Sequence, residues 1–458
     1  MTHHIRQQHL YLELSGTEPD GQLMQRLIPD LLYEKLFPAL EKVFDQSVPA
    51  GKLLKIDRLD IDAGSIPIDH MDKELTGVII REMARVLKEM SSIQTKEQNP
   101  DGHVVIRNSD EDTSGIFLYF LETGKLPWHF SLTDKKPLNE VVIEAVRDIM
   151  KGSNNHQFIN KIKQTLSDKS ALVRLGNQFP ETFLTELLNL IAPSVSELSG
   201  KILSSGEMLQ FSVAARDAFT KSILAAAFSY FSYAESPSGD GFRSHLLRTF
   251  PEIQGVTPTL KKLLNSGAKQ ENRKSGQDIL NFVKPIPEIL PDTEPVYIRN
   301  AGLILLHPFL PGFFESLHVS QDAELLNPEK ALQLLGYLVS GNHKTPEYEL
   351  VLPKILCGIP VNKPLMTDNP VDEQESAEGI TLLKAVIGHW EALRDTSPDG
   401  LRGSFLYRPG KLSRSEEDGW VLQVESRSWD ILLDQLPWGI AMIKLPWMRE
   451  MLRVEWNY

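Results

Sequence analysis

Cys357 is the chain's one thiol, and a nucleophile–base pair would need His343 or His389 brought beside it. A lone cysteine between Leu356 and Gly358 more often serves as a small buried hydrophobe, and that is the expectation here. His3, His4 and His9 offer metal-ligating nitrogens near the N-terminus, but a terminus or strand edge accounts for them as well. His307, between Leu306 and Pro308, reads as a hydrogen-bonded packing residue. The sequence has no phosphate-cradling glycine loop, G-x-S-x-G elbow, H-E-x-x-H, paired C-x-x-C or calcium loop. Its carboxylates are too numerous for spacing to single out a catalytic pair. No catalytic residue, cofactor or metal is therefore expected.

The pattern that stands out is aromatic. Trp420, Trp429, Trp438, Trp447 and Trp456, five of the seven tryptophans, follow one another at intervals of nine residues. Nine residues make about two and a half helical turns, so successive rings would alternate sides of a helix. Pro437 and Pro446 interrupt any such helix. Leu-Pro-Trp occurs at 436–438 and 445–447, and once earlier at 126–128. Two uses fit: large anchors of a β-rich core, or an interface, where tryptophan is enriched among energetically dominant contacts. The candidate partner-binding residues are Trp128, Trp390, Trp429, Trp438, Trp447 and Trp456.

The elements that position these rings are predominantly helical. In 458 residues, 41% hydrophobic and 24% charged content gives a folded chain with room for several cores. A net charge of -13 argues against nucleic-acid phosphate as a partner. A single cysteine permits no intramolecular disulfide, so cytosolic synthesis is the expectation. Residues 1–16 lack the apolar run of a secretory signal. The most apolar stretch, 222–234, is thirteen residues with three serines, too short to span a bilayer, and reads as a buried helix.

Along the chain, 9–14 and 55–62 alternate like half-buried strands that pair in one small sheet. Leucines between them mark a helix that Pro29 and Pro38 kink or divide, and a second helix covers about 71–90. Helices are expected at 138–150, 180–191 and 212–233, with a loop at 236–241. The basic stretch 261–284 reads as a solvated face or loop, with a partner site as the lesser alternative. Asn327, Pro328 and Gly341 delimit another helix, and Asp372 with Glu375 forms a capping box for one reaching about Arg394, with Trp390 on its apolar face. Ser397-Pro398-Asp399 starts a short helix that Pro409-Gly410 stops, and 419–425 and 452–456 read as strands. The expected class is α+β, predominantly α-helical. Its parts are a small β-α-β-α module at 1–95, a polar linker at 96–115, a variable helical middle at 116–290, and a helical C-terminal domain at 291–458 ending in a Trp-rich β segment.

Several ordered blocks resemble the tape measure family of contractile injection systems, the phage-tail-like particles of bacteria. They include His4-Ile5-Arg6 with 10–14, Ile56 to Gly64, and Phe120-Leu121-Glu122-Thr123-Gly124-Lys125-Leu126-Pro127-Trp128. The later blocks are Asn300-Ala301-Gly302-Leu303, His307-Pro308-Phe309-Leu310, Pro346 to Leu350, Lys354 to Gly358, His389-Trp390, Ser397 to Arg402, Asp430 to Leu433 and the two late Leu-Pro-Trp triplets. The resemblance implies a non-enzymatic assembly factor in the inner-tube lumen that helps set tube and sheath length. Implied partners are inner-tube, baseplate or spike, and cap proteins, with self-association also open. Cytoplasmic assembly and then enclosure in the particle are expected, and the charge and the lack of a spanning stretch argue against stable membrane insertion. The middle departs from a simple ruler, because Gly152, Gly176, Pro180, Pro193, Gly206, Pro237 and Pro251 break any long helix. An assembly chaperone or cargo adaptor of the same particle is the alternative, and a hydrolase with an unrecognised site a third.

Overall fold

The computed structural model describes residues 5, 8, 10–15, 17–47, 52–56, 59–93, 104–128, 130, 132, 136–152, 155–205, 212–250, 295–366, 369–415 and 419–456. The fold is α+β and predominantly helical. The chain divides into two compact units, Met1–Thr113 and Ser114–Tyr458.

In the first unit, α1 (Glu18–Asp30) starts where the backbone N–H and hydroxyl of Thr17 both donate to Asp20 Oδ2 at 2.7 Å. A π-helical turn, Leu31–Leu36, joins α1 to α2 (Phe37–Ser47). Pro38, which has no N–H to return to Glu34, follows that turn directly, so the expected division falls where the helical ladder loses a donor. Leu36, Leu40 and Val43 pack with Met83 and Leu87 of α3 (Met71–Ile93).

The small sheet differs from expectation. β1 (Lys52–Ile56) pairs antiparallel with β2 (Val104–Asn108), while residues 10–15 belong to no ladder. The strand expected through Asp62 ends at Ile56, and further on Asp62 Oδ1 accepts the Gly64 N–H at 2.8 Å in a turn that places Gly64 at φ 66°. The partner strand lay unread in the polar 96–115 stretch, although Val104-Val105-Ile106 is a β-prone run. α4 (Ser109–Thr123) also begins inside that stretch.

In the second unit the middle is a set of short helices: α5 (Leu138–Lys151), α6 (Asn155–Thr165), α7 (Lys169–Gln178), α8 (Glu181–Ile191), α9 (Pro193–Leu203), α10 (Val213–Tyr233) and α11 (Gly239–Thr249). Asp168, Ser212 and Ser238 cap α7, α10 and α11 through side-chain oxygens. The cap on Ser238 turns the last residues of the expected 236–241 loop into a helix start. Phe117, Phe120, Phe179 and Phe183 centre the core, Phe179 and Phe183 stacked at 4.5 Å. Residues 222–234 do lie in helix α10 up to Tyr233, with Ile223, Leu224, Ala227, Phe228 and Phe231 buried. Among the described residues no helix is long and apolar enough to cross a membrane.

The C-terminal region builds a second core. Its regular helices are α12 (Leu310–Ser316), α13 (Pro328–Ser340), α14 (Val351–Leu356), α15 (Glu373–His389) and α16 (Pro398–Leu401), interspersed with 3-10 turns at Ala301–Leu306, Glu347–Glu349, Glu391–Leu393 and Ser428–Gln435 and a π turn at Arg402–Leu406. Asn327 caps α13 and Gly341 ends it at φ 75°, while the Asp372–Glu375 box opens α15 with both bonds at 2.8 Å. α15 stops at His389, short of Arg394, because Trp390 leaves helical geometry to bury its ring completely. β3 (Val296–Ile298), β6 (Gly410–Ser415), β7 (Gly419–Val424), β9 (Leu452–Glu455) and β8 (Met442–Ile443) form a five-stranded sheet in that order. All its neighbours are antiparallel except β7 and β9. β4 (Ser320–Gln321) and β5 (Glu324–Leu325) make a separate hairpin. Gly302 is required by packing, since a Cβ there would lie 1.7 Å from the Phe405 carbonyl oxygen.

Candidate functional site

The nine-residue tryptophan series has a structural logic that the spacing alone did not reveal. Indole N–H groups donate to carbonyls in short 3-10, π and α turns, whose last carbonyls lack helical donors. Trp447 Nε1 donates to the carbonyl of Leu356, the last residue of α14, at 2.8 Å. Trp438 Nε1 donates to Leu305 at 3.1 Å, in the 3-10 turn Ala301–Leu306. Trp429 Nε1 donates to Ser404 at 3.2 Å, in the π turn. Trp390 Nε1 donates to Leu432 at 3.1 Å, in the 3-10 turn Ser428–Gln435. The rings also pack: Trp447 stacks on Phe314 at 5.3 Å, Trp438 meets Phe309 edge-on at 5.2 Å, and Trp390 lies 4.7 Å from Phe405. The tail thus straps turns far away in sequence to the sheet.

Trp456 completes a buried cluster. Its Nε1 donates to Asp430 Oδ2 at 2.9 Å, and Arg408 Nη1 donates to both Asp430 oxygens at 2.9 and 2.8 Å. The Arg408 guanidinium lies 5.3 Å from the Trp456 ring centroid and 5.8 Å from that of Trp429. Of the candidate rings, Trp390 and Trp456 are buried, Trp128, Trp438 and Trp447 are half-buried, and Trp429 is exposed at 40%. Trp128 follows α4 and lies outside the tail's set of caps. A groove of about 580 Å³ runs beside the strap, with Leu436, Pro437, Trp438 and Trp456 in its wall.

A second buried cluster joins the helical middle to the C-terminal region. Arg174 of α7 donates from Nε to Glu347 Oε1 at 3.1 Å, and from Nη1 to the carbonyls of Leu121 and Glu122 at 2.7 and 2.8 Å. Its Nη2 donates to the Asn362 carbonyl. Lys354 of α14 donates to Glu347 Oε1 at 2.7 Å and to the carbonyls of Val361 and Lys363. Both ion pairs have essentially no solvent exposure. Burial pulls the Lys354 pKa down, and the Glu347 carboxylate opposes that shift. Gly124 at φ 75° lets the chain pass, since a Cβ there would lie 2.6 Å from Glu347 Oε1. Blocks around Gly124, Glu347 and Lys354, scattered through the sequence, therefore converge on one site. Arg174 was missed because no local pattern marks it. Lys354 did carry a signal, as the sole charged residue between Leu350 and Asn362.

Among the described residues the chemical alternatives find no assembled site. Cys357 is buried, which pushes its thiol pKa up, and among the described residues it has no hydrogen bond to His343 or His389. His343 Nδ1 lies 2.6 Å from the Val371 carbonyl oxygen, and the His389 ring packs near Phe309. His307 Nδ1 sits 3.0 Å from the Ile304 carbonyl oxygen, and burial lowers its pKa. No group of three or more His, Cys, Asp or Glu that could hold a metal occurs among the described residues. His3, His4, His9 and the basic stretch 261–284 lie outside them.

The geometry is therefore that of buried structural clusters and aromatic straps. A family model described as contractile injection system tape measure protein matches residues 2–456. The chain belongs to that family. No curated protein and no solved structure matches it. Membership in the tape measure family gives it a structural role in a contractile injection system, as part of the particle and in assembly with its other components. Within that role, the Trp straps and the Arg174 cluster make the second unit a single packed body.

Proposed function

We propose that the chain sits in the inner-tube lumen as a non-catalytic assembly factor, helps set tube and sheath length, and does so as a folded body. The Arg174–Glu347–Lys354 cluster carries this reading, because drawing the middle out into a rod would separate buried charges joined across the unit. Drawn out as helix, the second unit would reach about 500 Å at roughly 1.5 Å per residue. Folded, a body of that size has a radius of gyration of about 20 Å. Length is then set by where the body stops and what it holds, not by its contour. Its terminal modules, 1–95 and 291–458, contact inner-tube, baseplate or spike, and cap proteins, and assembly takes place in the cytoplasm.

The test inserts 40 residues of helix-forming sequence at Gly152, an exposed turn after α5. A folded body predicts particles of unchanged length by electron microscopy. Lengthening by about 60 Å would refute it in favour of a contour ruler. Loss of the whole chain is expected to give few particles, or tubes of widely scattered length. Normal yield and normal length without the chain would remove the length role and favour the adaptor reading. One observation supports that second reading: Trp429 at 40% and Ile431 at 65% exposure share a 3-10 segment with residues that line the groove.

A further inference from the structure

The second unit contains two hydrophobic cores, not one. The buried residues of the first run from Phe117 to Leu246, and those of the other from Val296 to Trp456. From the C-terminal region, Tyr348 reaches across to pack against the first core, its ring edge-on to Phe120 at 5.8 Å. The rest of the seam is polar and is built on α7. Arg174 donates to Glu347 and to the Asn362 carbonyl, and Asn177 Nδ2 donates to the carbonyls of Leu365 and Met366 at 3.0 and 3.1 Å. Gln178 Oε1 accepts the Glu347 N–H at 2.9 Å.

Such a seam fixes position more than it adds stability. Bodies within one chain move relative to one another unless their interface is large and apolar, and a buried ion pair returns little net energy once desolvation is counted. Two acceptors at the seam are left over as well: among the described residues Glu347 Oε2 and Asn362 Oδ1 are buried without a hydrogen-bond partner. Parting the seam returns both to water and removes that cost. It also strands neither buried cation. Arg174 keeps the carbonyls of Leu121 and Glu122 on its own side, while Lys354 keeps Glu347 and the carbonyls of Val361 and Lys363 on the other.

We propose that this seam is a latch: the second unit has a closed state, the packed body described above, and an open state in which the helical middle and the C-terminal region part along α7 with each core intact. The latch is a property of the chain itself, whatever its place in the particle.

Two measurements on the full chain test it. Tyr348→Asp combined with Asn177→Ala sets a charge against Phe120 and removes two bonds of the seam without touching the interior of either core. Spin labels on Lys201→Cys and Lys384→Cys, exposed positions of α9 and α15, report the separation, and buried Cys357 takes no label. The chain with the seam intact should give one narrow distance. The variant should add a longer, broader population while the amides of α8 and α13 stay protected from hydrogen exchange. An unchanged distance distribution, or loss of protection in α8 and α13 along with the change, overturns the proposal. The second measurement needs no substitution. The Glu347 N–H, bonded across the seam to Gln178, should exchange more than about tenfold faster than the helical amides of α8 and α13. Exchange of Glu347 in step with those amides across a denaturant series overturns the latch.

Discussion

Replacing Glu347 by glutamine removes a charge and almost nothing else, which makes it a sharp probe of the buried cluster. The amide oxygen still reaches Arg174 and Lys354, but two buried cations lose the carboxylate that stands 3.1 and 2.7 Å from them. The new amide hydrogens point where Glu347 Oε2 has no hydrogen-bond partner. Breaking a buried pair by removing one partner costs roughly 3 to 5 kcal/mol. With an unfolding entropy of about 2.1 cal/mol/K per residue, a unit spanning Ser114–Tyr458 should melt about 4 to 7 °C lower. The deficit should also depend on pH. The folded pKa of Lys354 already lies below its unfolded value, and loss of Glu347 lowers it further. Between those two values the unfolded state binds more protons, so stability rises with pH and the variant gains on the parent chain as lysine deprotonates. Calorimetry at pH 7 and at about pH 9.5 reads both effects, and adding Lys354→Met at pH 7 should recover part of the loss. A melting temperature within a degree of the parent, or a deficit that widens with rising pH, would show that the cluster does not hold the unit together.

Three shorter expectations accompany it. Trp447→Phe keeps the stacking on Phe314 but leaves the Leu356 carbonyl without its donor, so it should cost about 1 to 3 kcal/mol, against about 3 to 5 for Trp447→Ala; equal losses in a thermal melt would mean that the hydrogen bond contributes nothing. Gly124→Ala places a methyl 2.6 Å from Glu347 Oε1 at positive φ and should destabilise by about 1 to 3 kcal/mol, with chemical denaturation as the readout; a neutral result would mean that the cluster has slack. His245 Nδ1 lies 2.7 Å from the Tyr233 hydroxyl oxygen and burial pulls its pKa down to about 4, so stability should fall as pH drops from about 6.5 towards 4. His245→Asn keeps a hydrogen-bonding side chain without the titration, and matching melting curves for the two proteins across that window would exclude the histidine as a contributor.

What was legible in the sequence was chemistry within a few residues of its partner. The Asn327–Pro328–Gly341 frame, the Asp372–Glu375 box and the Ser212 start of α10 all appear as read, because caps act over one helical turn. The strand of 419–425 also appears, as Gly419–Val424. What escaped was non-local. Glu347 lies 173 residues beyond the arginine that binds it, and Leu305 lies 133 residues before the indole that caps it, so neither spacing nor periodicity connects them. The partner of β1 was hidden because a short β-branched run sat inside a polar stretch. The tryptophan interval was visible, but its meaning depended on carbonyls left over at turns that a sequence does not display.

The sheet of the second unit also dictates an order of events during synthesis. β9 leaves the ribosome after every other described strand, yet it takes a place inside the sheet, between β7 and β8. Until it arrives, β7 has an open side, and the Arg408–Asp430 pair lacks the indole that covers it. A chain that stops early is therefore incomplete at the centre of its sheet rather than frayed at its margin. Its exposed edge is the kind that other strands, chaperones and proteases find. Only a chain translated through Glu455 completes the sheet, and only one that reaches Trp456 covers the Arg408–Asp430 pair.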